Sequence, residues 1–116
     1  MLPALLVRWE LALLDELGFG LDLTQCAASG SNDGLIYVSP RSGRAVSASA
    51  GEPFKEKLLA LPEFLRPGGS TRAISVRDIS QGFSLTGYFL HSRVLQPRGL
   101  ELPQSRDRLI ASLLAA

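Results

Sequence analysis

The residues with the plainest capacity for chemistry lie between positions 26 and 51, and most of that capacity is missing. Cys26 is the only cysteine in the chain. Ser29 stands three residues after it, and Ser47 and Ala50 repeat that spacing beyond an intervening hairpin. Two short-spaced thiol pairs, one at each end of such a hairpin, build a tetrahedral zinc ribbon. Serine and alanine do not hold zinc, and a single thiol binds it only weakly. Cys26, Ser29, Ser47 and Ala50 therefore read as a degenerate metal site, with no metal and no cofactor expected.

Other constellations are weaker. His91 is the only histidine and could activate Cys26 or a serine as a nucleophile. A solitary histidine on a long helix beside Arg93 is more simply a surface or satisfied structural residue. Asp15 and Glu16 are adjacent, and neighbours on a helix point in different directions, so paired acid–base work is not expected of them. Gly18-Phe19-Gly20 is too short to cradle a phosphate and precedes no helix. No enzymatic activity is expected.

Charge is more informative. Net charge is only +1, yet from Arg66 onward seven arginines face three acids, whereas five basic and eight acidic residues precede Glu63 or coincide with it. Arginine outnumbers lysine ten to two, which either a GC-rich coding sequence or a need for planar forks produces. Arg93, Arg98, Arg106 and Arg108 are interleaved with Tyr88, Phe89 and His91. Such a set can hold phosphates and stack bases, can receive the acidic tail of a partner protein, or can simply be a solvated face.

The elements that must position these residues fit one domain over 1–116. At 46% hydrophobic and 20% charged residues, the chain has an ordinary globular composition. A single cysteine rules out an internal disulfide and fits a reducing cytoplasm. No apolar run is long enough for a membrane span, and Met1–Leu14 lacks the pattern of a signal peptide. Pro3 and Gly18 bracket a helix over 4–17, apolar on most sides, with Arg8, Glu10, Asp15 and Glu16 left for water. Strands are expected at 35–38 and 44–47, around a turn at Pro40. A short helix is expected from Glu52 to Leu61, then a mobile loop over 66–72. Ser75-Val76-Arg77-Asp78 reads as a capping box opening a helix to about Leu95. Ile79, Phe83, Thr86 and Leu90 should face inward on it, with Val76 and Phe89 adjoining. Gly82 and Gly87 should admit another helix backbone. Pro97 and Gly99 end that segment, and a last helix starts at Pro103 or Gln104. The fold class is mainly α: a small helical domain carrying a zinc-ribbon-like β-hairpin that has lost its metal ligands.

These residues carry a family resemblance. Arg8-Trp9-Glu10-Leu11-Ala12-Leu13-Leu14-Asp15-Glu16-Leu17-Gly18-Phe19, followed by Leu21-Asp22-Leu23-Thr24-Gln25-Cys26, resembles the C-terminal domain of the bacterial recombination mediator family RecO. The hairpin Tyr37-Val38-Ser39-Pro40-Arg41-Ser42-Gly43-Arg44 and the closing Leu102-Pro103-Gln104-Ser105-Arg106-Asp107-Arg108-Leu109 are similar to later family motifs. Three of the family's four metal thiols are absent here. So are its N-terminal oligonucleotide-binding barrel and the helices expected before Arg8, so the chain reads as a C-terminal fragment. The resemblance implies DNA repair in the RecF pathway and engagement of the acidic tail of single-strand-binding protein. It also implies RecR and DNA as partners, DNA being held weakly in this portion, no membrane, and a cytoplasmic location. Arg106 occupies the arginine of the Ser-Arg motif and is the first choice for clamping a carboxylate, with Arg93, Arg98 and Arg108 beside it. Phe83, Tyr88 or Leu90 would supply an apolar pocket.

Two other readings stay open. One is a small helical protein that self-associates, through the apolar first helix above all. The other is a cysteine hydrolase, which needs Cys26 exposed near His91. An arginine-lined groove with an apolar floor favours a binding module, and a large uncharged apolar patch favours self-association.

Overall fold

The structure is a computed structural model, described here for residues 2–31, 34–66, 69 and 73–115. Helix α1 spans Leu2–Glu16. It ends where expected because Gly18 takes φ +87°, and the Phe19 amide donates to the Leu14 carbonyl at 2.8 Å. This closes the helix C-terminus with a left-handed glycine. α1 turns Ala4, Val7, Glu10 and Leu14 inward.

Strands β1 (Leu35–Val38) and β2 (Ala45–Ser47) form the expected hairpin. They pair antiparallel as Tyr37 with Val46 and Val38 with Ala45, with a bulge between Leu35 and Tyr37. The short helix α2 (Ala48–Gly51) follows. The helix expected over 52–61 does not form. A 3₁₀ turn covers Glu52–Lys57, and Leu59–Ala60 then becomes a third strand, β3, on the other edge of β1. Pro53 and Pro62 leave too little uninterrupted chain for α-helix, and the apolar run Leu58–Leu61 suits a half-buried strand on β1. The sheet order is β2-β1-β3. Of the predicted mobile loop, residues 67, 68 and 70–72 lie outside the described residues.

Helix α3 spans Val76–Phe89 and carries the predicted capping box: Ser75 Oγ accepts from the Asp78 amide, and Asp78 accepts from the Ser75 amide, both at 3.0 Å. Ile79, Phe83, Thr86, Phe89 and Leu90 are buried as expected. Val76 is exposed, because it lies in the first turn ahead of the packed face. The chain stays helical through a π-helical segment, Leu90–Leu95, and a 3₁₀ turn, Gln96–Arg98, until Gly99 at φ +70° redirects it. Helix α4 is Gln104–Ala115.

Two hydrophobic clusters result. The larger joins Leu14, Leu35, Val38, Leu85 and Phe89 between sheet and helices. The smaller joins Val7, Phe64, Ile79 and Phe83, with Ile110 and Leu113 of α4 packed on it. The architecture is therefore mainly α with a small antiparallel sheet. Among the described residues no group of three or more His, Cys, Asp or Glu could hold a metal ion.

Candidate functional site

The densest polar construction joins three helices at one carboxylate. Glu10 is 9% exposed in the middle of the Val7–Leu14 stripe. Its assignment to solvent is thus corrected: the same 3–4 spacing that buries Val7 and Leu14 buries position 10. Arg106 on α4 meets it bidentately, Nε to Oε2 and Nη2 to Oε1, each 2.9 Å. Nη2 also donates to the Phe83 carbonyl at 3.0 Å, and Thr86 Oγ1 donates to Glu10 Oε1 at 2.6 Å. A buried charge is tolerated only when paired and hydrogen-bonded, and this one is both. The two polar positions of the family-like motifs, Glu10 and Arg106, therefore partner each other.

Gly87 makes room for the contact. A Cβ there would stand 3.1 Å from Arg106 Nη1. At Gly82 a Cβ would meet Val7 side-chain carbons at 3.0 Å. Both glycines admit side chains, not the helix backbone that was expected.

Arg106 also lines a groove between α3 and α4, of about 290 Å³, with Phe83, Tyr88 and Ile110 among its apolar walls. Two of the three residues proposed for an apolar pocket, Phe83 and Tyr88, are there. Leu90 is buried in the sheet-side cluster instead. Asp107 shares the groove rim.

The other three arginines have separate surroundings. Arg93 lies over the Phe89 ring, with Cζ 4.6 Å from its centroid, and donates to the Arg41 carbonyl at 3.2 Å. Arg98 is exposed and bonds the Val94 carbonyl at 2.7 Å. Arg108 is exposed. The four thus do not converge on one internal partner: Arg93 belongs to the hairpin side and Arg106 to the α1 side.

The degenerate metal positions do come together. Cys26 Sγ accepts from the Ser47 amide at 3.3 Å and lies 3.6 Å from Ser47 Oγ. Ser47 Oγ in turn accepts from the Ala50 amide at 3.2 Å. Burial pushes the Cys26 thiol up, but hydrogen bonds from Ser29 and Ser47 outweigh it and hold the thiol at about 6. Hydrogen bonds and burial in the larger hydrophobic cluster together hold these loops. With Cys26 1% exposed, a hydrolase nucleophile at this position has no access to substrate. Asp15 and Glu16 are solvent-exposed, as expected for a helix end.

Fold and site together define a class: a small, mainly helical domain with a sheet insertion, locked by a buried arginine–glutamate pair. The family described as "Recombination protein O C terminal" matches residues 1–100. Proteins named "DNA repair protein RecO" are similar over nearly the whole chain. That of Methylorubrum populi is 60% identical across 94% of this chain and 46% of its own length. That of Methylobacterium nodulans is 58% identical across 94% and 46%. That of Rhizobium etli is 52% identical across 97% and 43%. No solved structure matches significantly. The chain belongs to the RecO family, within its C-terminal region, and spans about half the length of the curated relatives it matches.

Proposed function

We propose that this chain acts in DNA repair and recombination as the interaction domain of a RecF-pathway mediator, without enzymatic activity or cofactor of its own. In this reading it works in the cytoplasm, engages the acidic tail of single-strand-binding protein, and assists annealing and loading alongside RecR, holding DNA weakly. The observation that supports it best is the α3–α4 groove, where an arginine is set beside an apolar floor of Phe83, Tyr88 and Ile110. A phenylalanine side chain fits such a floor, and a carboxylate would meet Arg106 at Nη1, because Nε and Nη2 are bonded to Glu10. Arg108 is exposed on the same helix but does not line the groove.

Arg106→Ala alone is a poor test, because it also strips Glu10 of its partner. Two gentler changes isolate the groove. Ser84→Trp, at an exposed lining position, should plug it. Asp107→Asn should remove the charge that opposes an acidic ligand and tighten binding severalfold. Fluorescence anisotropy with an acidic, phenylalanine-ended peptide checks both, with Lys55→Ala, exposed on the Glu52–Lys57 turn, as the control. Unchanged affinity in a folded Ser84→Trp variant places the peptide elsewhere.

A further inference from the structure

A second surface lies on the hairpin side of the molecule, away from the α3–α4 groove. Phe54 is 60% exposed at the crest of the 3₁₀ turn Glu52–Lys57. Two shallow lobes meet beneath it, sharing Ser39, Phe54 and Leu58. One lobe, of about 360 Å³, is walled by the small apolar residues Ala27, Ala28, Val46 and Ala50. The other, of about 340 Å³, is closed by Pro40 and two cations, Arg41 and Lys57. No carboxylate lines either lobe. Glu52 and Glu56 line an adjoining hollow that shares Phe54 and Lys57, and Glu52 pairs there with Lys55 at 3.1 Å. Among the described residues, Arg41 and Lys57 make no ion pair. The backbone ahead of the turn is tightly seated on the sheet: a Cβ at Gly51 would stand 2.9 Å from Cε2 of Tyr37 on β1.

We propose that this surface docks a linear acidic segment of a partner protein. An aliphatic side chain enters the lobe of alanines and Val46, and an adjacent carboxylate meets Arg41 and Lys57. Charge complementarity decides the occupant: Arg41 and Lys57 close one end of two apolar lobes whose own walls hold no carboxylate, and there they attract carboxylates and repel basic partners. Single-stranded nucleic acid is a poorer fit, since it needs successive rings to stack on, and Phe54 is the only aromatic ring lining either lobe. The inference does not rest on the DNA-repair reading and uses none of the residues of the α3–α4 groove.

The test is anisotropy of the whole chain with a dye-labelled, end-capped peptide carrying one leucine flanked by aspartates. The wild type should bind. Arg41→Ala and Lys57→Ala should each weaken it, and losing both should cost roughly tenfold or more. Phe54→Ser should weaken binding to a similar degree with an unchanged circular dichroism spectrum, since Phe54 is mostly outside the core. Replacing the peptide's leucine by serine should abolish binding, and Ser84→Trp should leave it intact. The idea is overturned by absence of binding to the wild type at millimolar peptide, or by affinities indifferent to all three variants. It is equally overturned if oligothymidylate binds this surface in place of the peptide, or if Phe54→Ser instead abolishes self-association of the chain.

Discussion

At the level of single residues, Glu10 carries the lesson about what the sequence discloses. It stands in a motif-like helix and was assigned to water because it is charged. Yet it falls three residues from Val7 and four from Leu14, on the buried stripe. Its spacing from Val7 and Leu14 favours burial, its charge argues against it, and a partner 96 residues away reconciles the two. That partner could have been suspected, because a charge inside a core demands an opposite one. We expect Arg106→Met to destabilise the fold by about 3 kcal/mol, the scale for breaking a buried pair from one side. The double change Glu10→Gln with Arg106→Met should recover most of that loss, as urea midpoints will show. If the two effects simply add, the pair is not coupled. Cys26 gives a second, pH-dependent prediction. Its folded value of about 6 lies below the ordinary thiol value of 9.0, so the fold favours the thiolate. Between those values the unfolded chain binds the extra proton, so stability should rise with pH. The contribution is complete above the unfolded value and lost as pH falls through about 6. Urea midpoints at both ends of that window should diverge between wild type and Cys26→Ala, the wild type gaining more on going alkaline.

At the level of elements, signals written in neighbouring residues were legible and those that depend on distant contacts were not. The capping box at Ser75–Asp78 and the glycine stop at Gly18 are local chemistry, and both appear as read. Residues 52–61 were read as helix from spaced apolar side chains, but ten residues holding a proline cannot outvote a vacant edge of β1. The hairpin at 35–47 is also local chemistry, and its two strands pair as read. Of the residues that line the α3–α4 groove, Phe83, Tyr88 and Arg106 are legible in the sequence, whereas Asp107 and Ile110, and the burial of Leu90 elsewhere, depend on how α4 packs. Gly87 tests that packing. Alanine is the better helix former by about 1 kcal/mol. Here its Cβ would press on a guanidinium fixed by several hydrogen bonds. Overpacking costs about 1–3 kcal/mol, so Gly87→Ala should destabilise on balance. A rise in melting temperature would mean that Arg106 moves aside freely.

At the level of the whole molecule, one face of α1 has no covering among the described residues. Leu2, Leu5 and Trp9 are 59%, 59% and 60% exposed. They recur at three- and four-residue intervals, and exposed Ala12 continues the row. That is the seam by which one helix packs along another. An apolar first helix was expected to be buried by a second copy or to leave such a patch, and the structure gives the patch. Contiguous exposed apolar surface of this kind usually meets a partner. We expect the chain to self-associate as its concentration rises, and Trp9 emission to shift to the blue as it does so. Trp9→Glu and Leu5→Glu should each hold it monomeric in sedimentation equilibrium. Neither residue belongs to the buried core, so the melting temperature extrapolated to low concentration should stay nearly constant, as for other surface changes worth within about 0.5 kcal/mol. A chain that stays monomeric throughout, with Trp9 emission red and freely quenched by acrylamide, would show that two copies do not satisfy this face. The self-associating reading would then lose its structural support.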